Sequence, residues 1–202
     1  ASLAAIALAS DARAEDMPKA RGLTTLTFSL ENDLFADTDR HYTNGVRVSL
    51  YTPGQAAPEA VDGLVDAFPL FATAGPRRYG LALGQNMFTP ENTRTTHPDP
   101  RDRPYAGWLY VSLGAGVQND NRLDLLELDL GMVGPASLAD KAQKFIHDLR
   151  DFDEPRGWSK QLKNEPGAIL SYQRQWRVRL FGEGRNFGAD VTPQLGGDLG
   201  NI

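Results

Sequence analysis

A glutamine and a histidine four residues apart lie in the segment of the chain that has a helical hydrophobic pattern. Because positions four apart are neighbours on a helix surface, Gln143 and His147 are expected to share one face. Ser137 is the expected N-cap, with Asp140 three residues on. Histidine exchanges a proton near neutral pH, so His147 is a candidate general base. The alternative is a solvated histidine near a helix C-terminus, where a positive charge is favourable.

A second group of polar residues ends the first predicted strand, where Glu31, Asn32 and Asp33 follow one another. Carboxylate and amide oxygens together suit a hard cation such as Ca²⁺. A hairpin to the next strand would bring Thr43 close to Asn32 and Asp33. The alternative is an ordinary polar strand end. No GxSxG motif, HExxH motif or glycine-rich phosphate loop occurs in the sequence, so it offers no recognisable frame for a serine, cysteine or threonine nucleophile.

The elements that must position these residues are mainly strands. Apolar side chains alternate with small or polar ones in six segments, a period typical of strands with two unlike faces. The predicted strands cover residues 24–33, 43–51, 78–87, 105–117, 121–133 and 167–181. A helix is predicted at about 137–149, with apolar positions at Leu138, Ala142, Phe145, Ile146 and Leu149. The connections at 52–77 and 87–104 are predicted to be long functional or disordered loops.

Composition narrows the class of protein. The chain has no cysteine, so it cannot rely on disulfides for its stability. Its 26 acidic and 21 basic residues give a net charge of −5, which argues against a nucleic-acid partner. It contains no run of 18 apolar residues, so a membrane protein with this sequence would have to span as a closed β-barrel. Aromatic residues near the strand ends favour a barrel, with the apolar face turned toward lipid. A soluble periplasmic lipid-binding β protein would show the same alternation.

The two ends of the chain bear on its domain organisation. Residues 1–14 form a short apolar run that ends in Ala-Arg-Ala, which is typical of the last part of a secretory signal peptide. Residues 15–202 are predicted to be the N-terminal part of a single outer-membrane β-barrel domain. Residues 193–202 read as a strand that no closing element follows.

Six groups of short strings, from about residue 24 to the end of the chain, resemble the lipid A 3′-O-deacylase family of outer-membrane β-barrels. Each string is short, and their order and spacing make the resemblance specific. The strings are 31–33, 39–45, 85–90, 102–108, 134–137 with 143–147, and 157–158 with 161–162. The resemblance implies an all-β fold, an antiparallel up-and-down transmembrane barrel with 12 strands in the family. This chain would be a truncated N-terminal part of it, with a short helix inserted between strands.

The family resemblance also implies an activity, a location and a site. The activity is Ca²⁺-dependent hydrolysis of the ester-linked 3′-acyloxyacyl chain of lipid A, by a monomer in the bacterial outer membrane that acts on lipopolysaccharide of the outer leaflet. The resemblance places His147, Gln143 and Thr43 at catalytic positions, with His147 as the base. It places Asn32 and Asp33 at the metal site.

Two further positions are expected to bind substrate. Asp153 falls where characterised family members carry a glutamate. Arg94 is the nearest basic residue to a basic pair that the family has after the Phe-Thr-Pro string and that this chain does not match. The main alternative function is a non-catalytic structural or porin-like outer-membrane barrel that keeps the family frame.

Overall fold

The computed structural model describes most of the chain from residue 24 onward. The described residues are 24–32, 44–53, 57, 59–71, 75–119, 121–150, 154–182 and 188–202. Three predicted site residues, Asp33, Thr43 and Asp153, lie outside these ranges, as do the predicted signal segment and its cleavage triplet.

Nine strands and two α-helices make up the regular structure of the described residues. The strands are β1 (Thr25–Asn32), β2 (Asn44–Pro53), β3 (Arg77–Phe88), β4 (Ala106–Asn119), β5 (Arg122–Val133), β6 (Glu165–Trp176), β7 (Val178–Phe181), β8 (Ala189–Val191) and β9 (Gln194–Gly200). The helices are α1 (Glu59–Ala67) and α2 (Ala139–Arg150). The first five predicted strands agree with β1 to β5 to within two residues at each end.

The main sheet has seven strands in the order β1-β2-β3-β4-β5-β6-β9, and every neighbouring pair is antiparallel. Strands adjacent in the chain are adjacent in the sheet as far as β6, so the prediction of an up-and-down antiparallel sheet is confirmed. Among the described residues the sheet is open, with β1 and β9 at its edges.

The sixth predicted strand is divided in the structure. Trp176 of β6 pairs with Arg122, the first residue of β5, so the chain beyond Trp176 has no further partner on that strand. After a last bond from the Arg177 N–H to the Asn121 carbonyl at 2.7 Å, the chain forms the separate β7–β8 hairpin. It then returns as β9 beside β6. The prediction of one strand over 167–181 was wrong, because alternation persists past the point where the neighbouring strand begins.

The connection predicted as a loop at 52–77 contains α1. Val61, Val65 and Phe68 recur at helical spacing, and they pack with Phe71 against Tyr79 of β3. Arg77 of β3 binds carboxylates on α1. It donates to Asp62 at 2.8 Å and also forms an ion pair with Asp66. The helix is therefore held to the sheet by an apolar contact and by charge pairs.

The sheet has two chemically different faces. The leucine face carries apolar side chains that are exposed, and the polar face carries small or polar side chains that are mostly buried. Exposed residues of the leucine face include Phe28, Leu30, Val48, Leu50, Leu81, Leu83, Val111, Leu113 and Leu130. This is the outward apolar parity that the sequence predicts.

An ion pair on the polar face shows that the sheet curves. Arg47 of β2 donates to Glu127 of β5 at 3.1 Å, although β3 and β4 lie between them. In a flat sheet, three strand spacings alone would separate the two backbones by about 14 Å, and Glu127 also lies four residues along β5 from the row of Arg47. The two side chains meet because the polar face is concave, as it is on the inside of a barrel wall.

Both helices lie on the leucine face. The α1 side chains contact Tyr79 and Val117, near one end of β3 and β4, and α2 contacts Met87 near the other end of β3. These contact residues share the parity of the exposed leucines. No helix among the described residues is long and apolar enough to cross a membrane.

Candidate active site

The chain enters α2 through a tight turn after β5. Pro135–Ser137 forms a 3-10 turn, and Leu138 follows with a left-handed backbone at φ 58°. The Ser137 hydroxyl donates to the Gly134 carbonyl at 2.6 Å, and no N–H of the described part of α2 donates to it. The prediction that Ser137 caps the helix was wrong, because the serine belongs to the preceding turn and α2 begins at Ala139.

The start of α2 lies directly against β3 and β4. Ala139 is buried with Met87, and the Gln85 side-chain amide donates to the Ser137 carbonyl at 2.6 Å. A Cβ at Gly107 would overlap the side chains of Ser137 and Ala139. A glycine is therefore needed at position 107 for the helix to approach the sheet this closely.

The side chain of Gln143, a residue of α2, is buried against the 3-10 turn at Trp158–Lys160. Its side-chain oxygen Oε1 accepts a hydrogen bond of 2.6 Å from the indole Nε1 of Trp158. Gln143 is 6% exposed and Trp158 is 9% exposed, so water competes little for this bond. Buried polar groups are almost always paired in this way, since an unpaired one is costly.

Tyr105 connects this pair to the loop that contains Arg94. Its ring lies 4.9 Å from the ring of Trp158, between centroids, and Gly157 leaves no room for a Cβ beside it. Its hydroxyl donates to the Thr93 carbonyl at 3.2 Å. Burial raises the pKa of Tyr105, and a hydrogen bond from the Gly157 backbone opposes this in part, so the phenol remains a neutral donor. The position of Arg94, an exposed residue, is thereby tied to the Trp158 region.

The segment after α2 is held back against the helix. Lys144 donates to Glu154 at 2.9 Å, and this contact raises the pKa of Lys144. Both side chains are more than half exposed, so the pair contributes little to stability. It does place the chain next to Asp153 close to α2, although Asp153 itself lies outside the described residues.

His147 is half-buried and lies one helical turn after Gln143. The two residues share a face of α2, as the sequence predicts. Phe145 and Leu149, which were predicted within the apolar stripe of the helix, are 66% and 72% exposed. They lie on a flank of α2 that points away from His147, since positions two apart on a helix are about 200° apart.

Asn32 ends β1 at the same end of the sheet. The pairing register places the backbones of Asn32, Asn44, Met87 and Gly107 in one row across β1 to β4. Met87 and Gly107 are the positions that α2 covers. Two strand spacings, about 10 Å, separate the Asn32 backbone from that of Met87. Asn32 thus ends β1 two strands away from the position that the start of α2 covers.

The structure therefore places Gln143 and His147 on α2, whose start covers β3 and β4 two strands from the end of β1, and the loop of Arg94 next to Trp158. In the part of the chain that the structure describes, no three His, Asp or Glu residues form a metal-binding group. Sequence reasoning did not assign roles to Trp158 and Tyr105. Both residues lie in strings that carry the family resemblance, but their contacts join segments that are far apart in the sequence.

A curved antiparallel sheet with an exposed apolar face and a helix packed on that face defines a class of outer-membrane protein. The family model for Outer membrane protein LpxR matches residues 1–202. The chain belongs to this family, which confirms the family predicted from the motifs, and its location is the bacterial outer membrane.

One solved structure with the same fold is LpxR from Salmonella typhimurium. It aligns with a TM-score of 0.69 at 17% sequence identity. The alignment covers 89% of this chain and 59% of the Salmonella chain, so this chain spans a little over half the length of that protein. No curated protein matches the sequence.

Proposed function

We propose that the protein hydrolyses the ester that links the 3′-acyloxyacyl chain to lipid A, and that its sheet is the first part of a closed barrel of 12 strands. The observation that carries the proposal is the position of α2. The helix with Gln143 and His147 lies on the leucine face and not on the concave polar face. A lipid in the membrane would reach this site directly, whereas a solute in the lumen would not.

The exposed flank of α2 supports a lipid substrate. Phe145 and Leu149 are exposed apolar side chains on a helix that packs on the leucine face, the face that meets acyl chains in a membrane-spanning sheet. In this arrangement the apolar flank contacts the outer leaflet, while the flank with His147 faces a polar site at the membrane surface. The helix and the β1–β2 hairpin come from one chain, so a monomer suffices.

The proposed chemistry is attack of water on an ester. His147 takes a proton from the water, whose oxygen bonds to the carbonyl carbon. The bond between the carbonyl carbon and the 3′ ester oxygen then breaks, and the proton on His147 passes to that oxygen. The products are the free acyloxyacyl acid and lipid A with a 3′ hydroxyl. Gln143 and the hydroxyl of Thr43 would orient the reacting groups.

The residues at the end of β1 fit a calcium ion by their donor chemistry. Asn32 and Asp33 offer amide and carboxylate oxygens, the hard donors that Ca²⁺ takes in proteins. We propose that these two residues hold Ca²⁺, which when bound would act as a Lewis acid on the ester carbonyl.

Arg94 and Asp153 are proposed to bind the polar head of the substrate. A guanidinium matches phosphate or sugar oxygens through several donors. The exposed position of Arg94, on the loop that Tyr105 holds, suits contact with a large headgroup. Glu154, the residue that follows Asp153 in the sequence, pairs with Lys144 of α2.

Mass spectrometry of lipid A tests this function. Lipid A extracted from cells that express the full-length protein should lose the mass of one acyloxyacyl chain, and lipid A from cells without it should not. Unchanged lipid A, together with ion conductance of the purified protein in planar bilayers, would support the porin-like alternative instead.

A further inference from the structure

The hydrogen bond between Trp158 and Gln143 fixes which end of the glutamine amide is free to act. An indole N–H only donates, so the group that faces it must be the amide oxygen. The short distance of 2.6 Å and the burial of both residues hold this orientation. The amide nitrogen Nε2 therefore lies on the side of Gln143 away from Trp158.

We propose that Trp158 is a positioning residue that holds the Gln143 amide so that its NH₂ group donates to the carbonyl oxygen of the substrate ester. This inference rests on the proposed function and assigns the glutamine one of two possible roles. Gln143 would stabilise the negative charge that develops on the carbonyl oxygen, and would not accept a proton from the attacking water. An oriented donor of this kind does not have to reorganise during the reaction.

The surroundings of Trp158 keep the indole in place. Its ring packs against Tyr105, which in turn binds the Thr93 carbonyl, and the close approach of the rings requires Gly157. The aromatic contact can survive the loss of the indole nitrogen. Trp158→Phe is therefore a variant that removes the donor and keeps most of the packing.

Three activity measurements separate this role from a structural one. Trp158→Phe should lower kcat about tenfold with little change in KM. Gln143→Glu, which still accepts the indole N–H but replaces the NH₂ group with oxygen, should lower kcat about 10²–10³-fold, as loss of an oxyanion donor does. In a Gln143→Ala background, Trp158→Phe should cause no further loss, because residues that act through one group are not additive. Near wild-type kcat in Gln143→Glu, or multiplicative losses in the double variant, would overturn the proposal.

A spectroscopic measurement keeps the test independent of activity and of the proposed function. Residues 1–202 contain three tryptophans, and the indole signal that Trp158→Phe removes from the ¹⁵N spectrum of the protein in detergent is the signal of Trp158. That signal should move in Gln143→Ala and stay in place in the control Lys144→Ala, which alters the same helix on its exposed side. An indole signal that does not respond to Gln143→Ala would overturn the positioning role, even in an active enzyme. A shifted signal in a protein that leaves lipid A intact would show that the hydrogen bond exists and that the proposed function has failed.

Discussion

The guanidinium of Arg47 on β2 binds the carboxylate of Glu127 on β5, across the two strands β3 and β4. Gly84 leaves space for the Tyr110 ring to lie across β3, and Arg47 sits 6.0 Å from the centroid of that ring. A Cβ at position 84 would overlap that ring. Gly84 is therefore needed for Tyr110 to lie beside Arg47 on the concave face.

The first prediction concerns this ion pair. Arg47→Met should destabilise the fold by about 2 kcal/mol, because it leaves a partly buried carboxylate without its hydrogen-bonding partner. Urea unfolding of the protein in lipid vesicles measures the change. Arg47→Met combined with Glu127→Gln is the control and should recover part of the loss, since the unpaired charge is then absent. Equal midpoints for Arg47→Met and wild type would show that the pair does not support the curved wall.

The second prediction concerns the approach of α2 to the sheet. Gly107→Ala should lower deacylation about 10²-fold, because the new Cβ displaces the turn before α2 and shifts the site by about 1 Å. Gly114→Ala is the matched control on the same strand, where the nearest atom to a new Cβ is the Glu127 carboxylate at 3.7 Å. Circular dichroism should show an intact sheet in both variants. Equal activities of the two would mean that the position of α2 does not matter.

The alternation of apolar and polar residues predicted the positions of β1 to β5, but it did not predict the end of β6 or the presence of α1. The alternation of side chains within one strand is a local property of the sequence, so β1 to β5 could be located from it. The end of β6 depends on where β5 begins, which is a long-range property. Helix α1 was missed because proline and glycine on both sides of it made the whole connection read as a loop.

The third prediction concerns the exposed flank of α2. Residues 1–202 contain no cysteine, so within this part of the protein an introduced cysteine carries a spin label at one known position. Labels at Phe145→Cys and Leu149→Cys should collide more with oxygen, which concentrates in the acyl chains, than with a water-soluble nickel complex. A label at Lys144→Cys, on the polar side, should show the reverse. Preference for the nickel complex at all three positions would show that α2 does not contact lipid.

The candidate site could be predicted only in part. The spacing of Gln143 and His147 placed both on one helix face, since that relation lies within one element. The partners of Gln143 could not be predicted, because Trp158 and Tyr105 belong to segments whose approach depends on Gly107 and Gly157. The resemblance supplied the roles of the residues at the end of β1, which periodicity could not distinguish from an ordinary polar turn.

The fourth prediction concerns calcium. Chelation should abolish deacylation and added Ca²⁺ should restore it, because Asn32 and Asp33 would then bind the ion again. Asp33→Ala should be inactive with or without Ca²⁺, while its sheet remains folded. Magnesium, which demands a tighter octahedral shell, serves as the control ion and should restore less activity. Full activity in excess chelator would exclude a catalytic calcium site.

The central claim is that His147 is the general base, and the deacylation rate of a purified His147→Asn variant tests it most directly. Asparagine keeps a polar side chain of similar size and cannot take a proton from water at neutral pH. Because His147 is only half-buried, the variant should fold with wild-type urea stability. The rate of release of the acyloxyacyl acid from lipid A should fall about 10²–10⁴-fold, the usual cost of losing a general base. A folded His147→Asn protein that releases the acid at the wild-type rate would contradict the account.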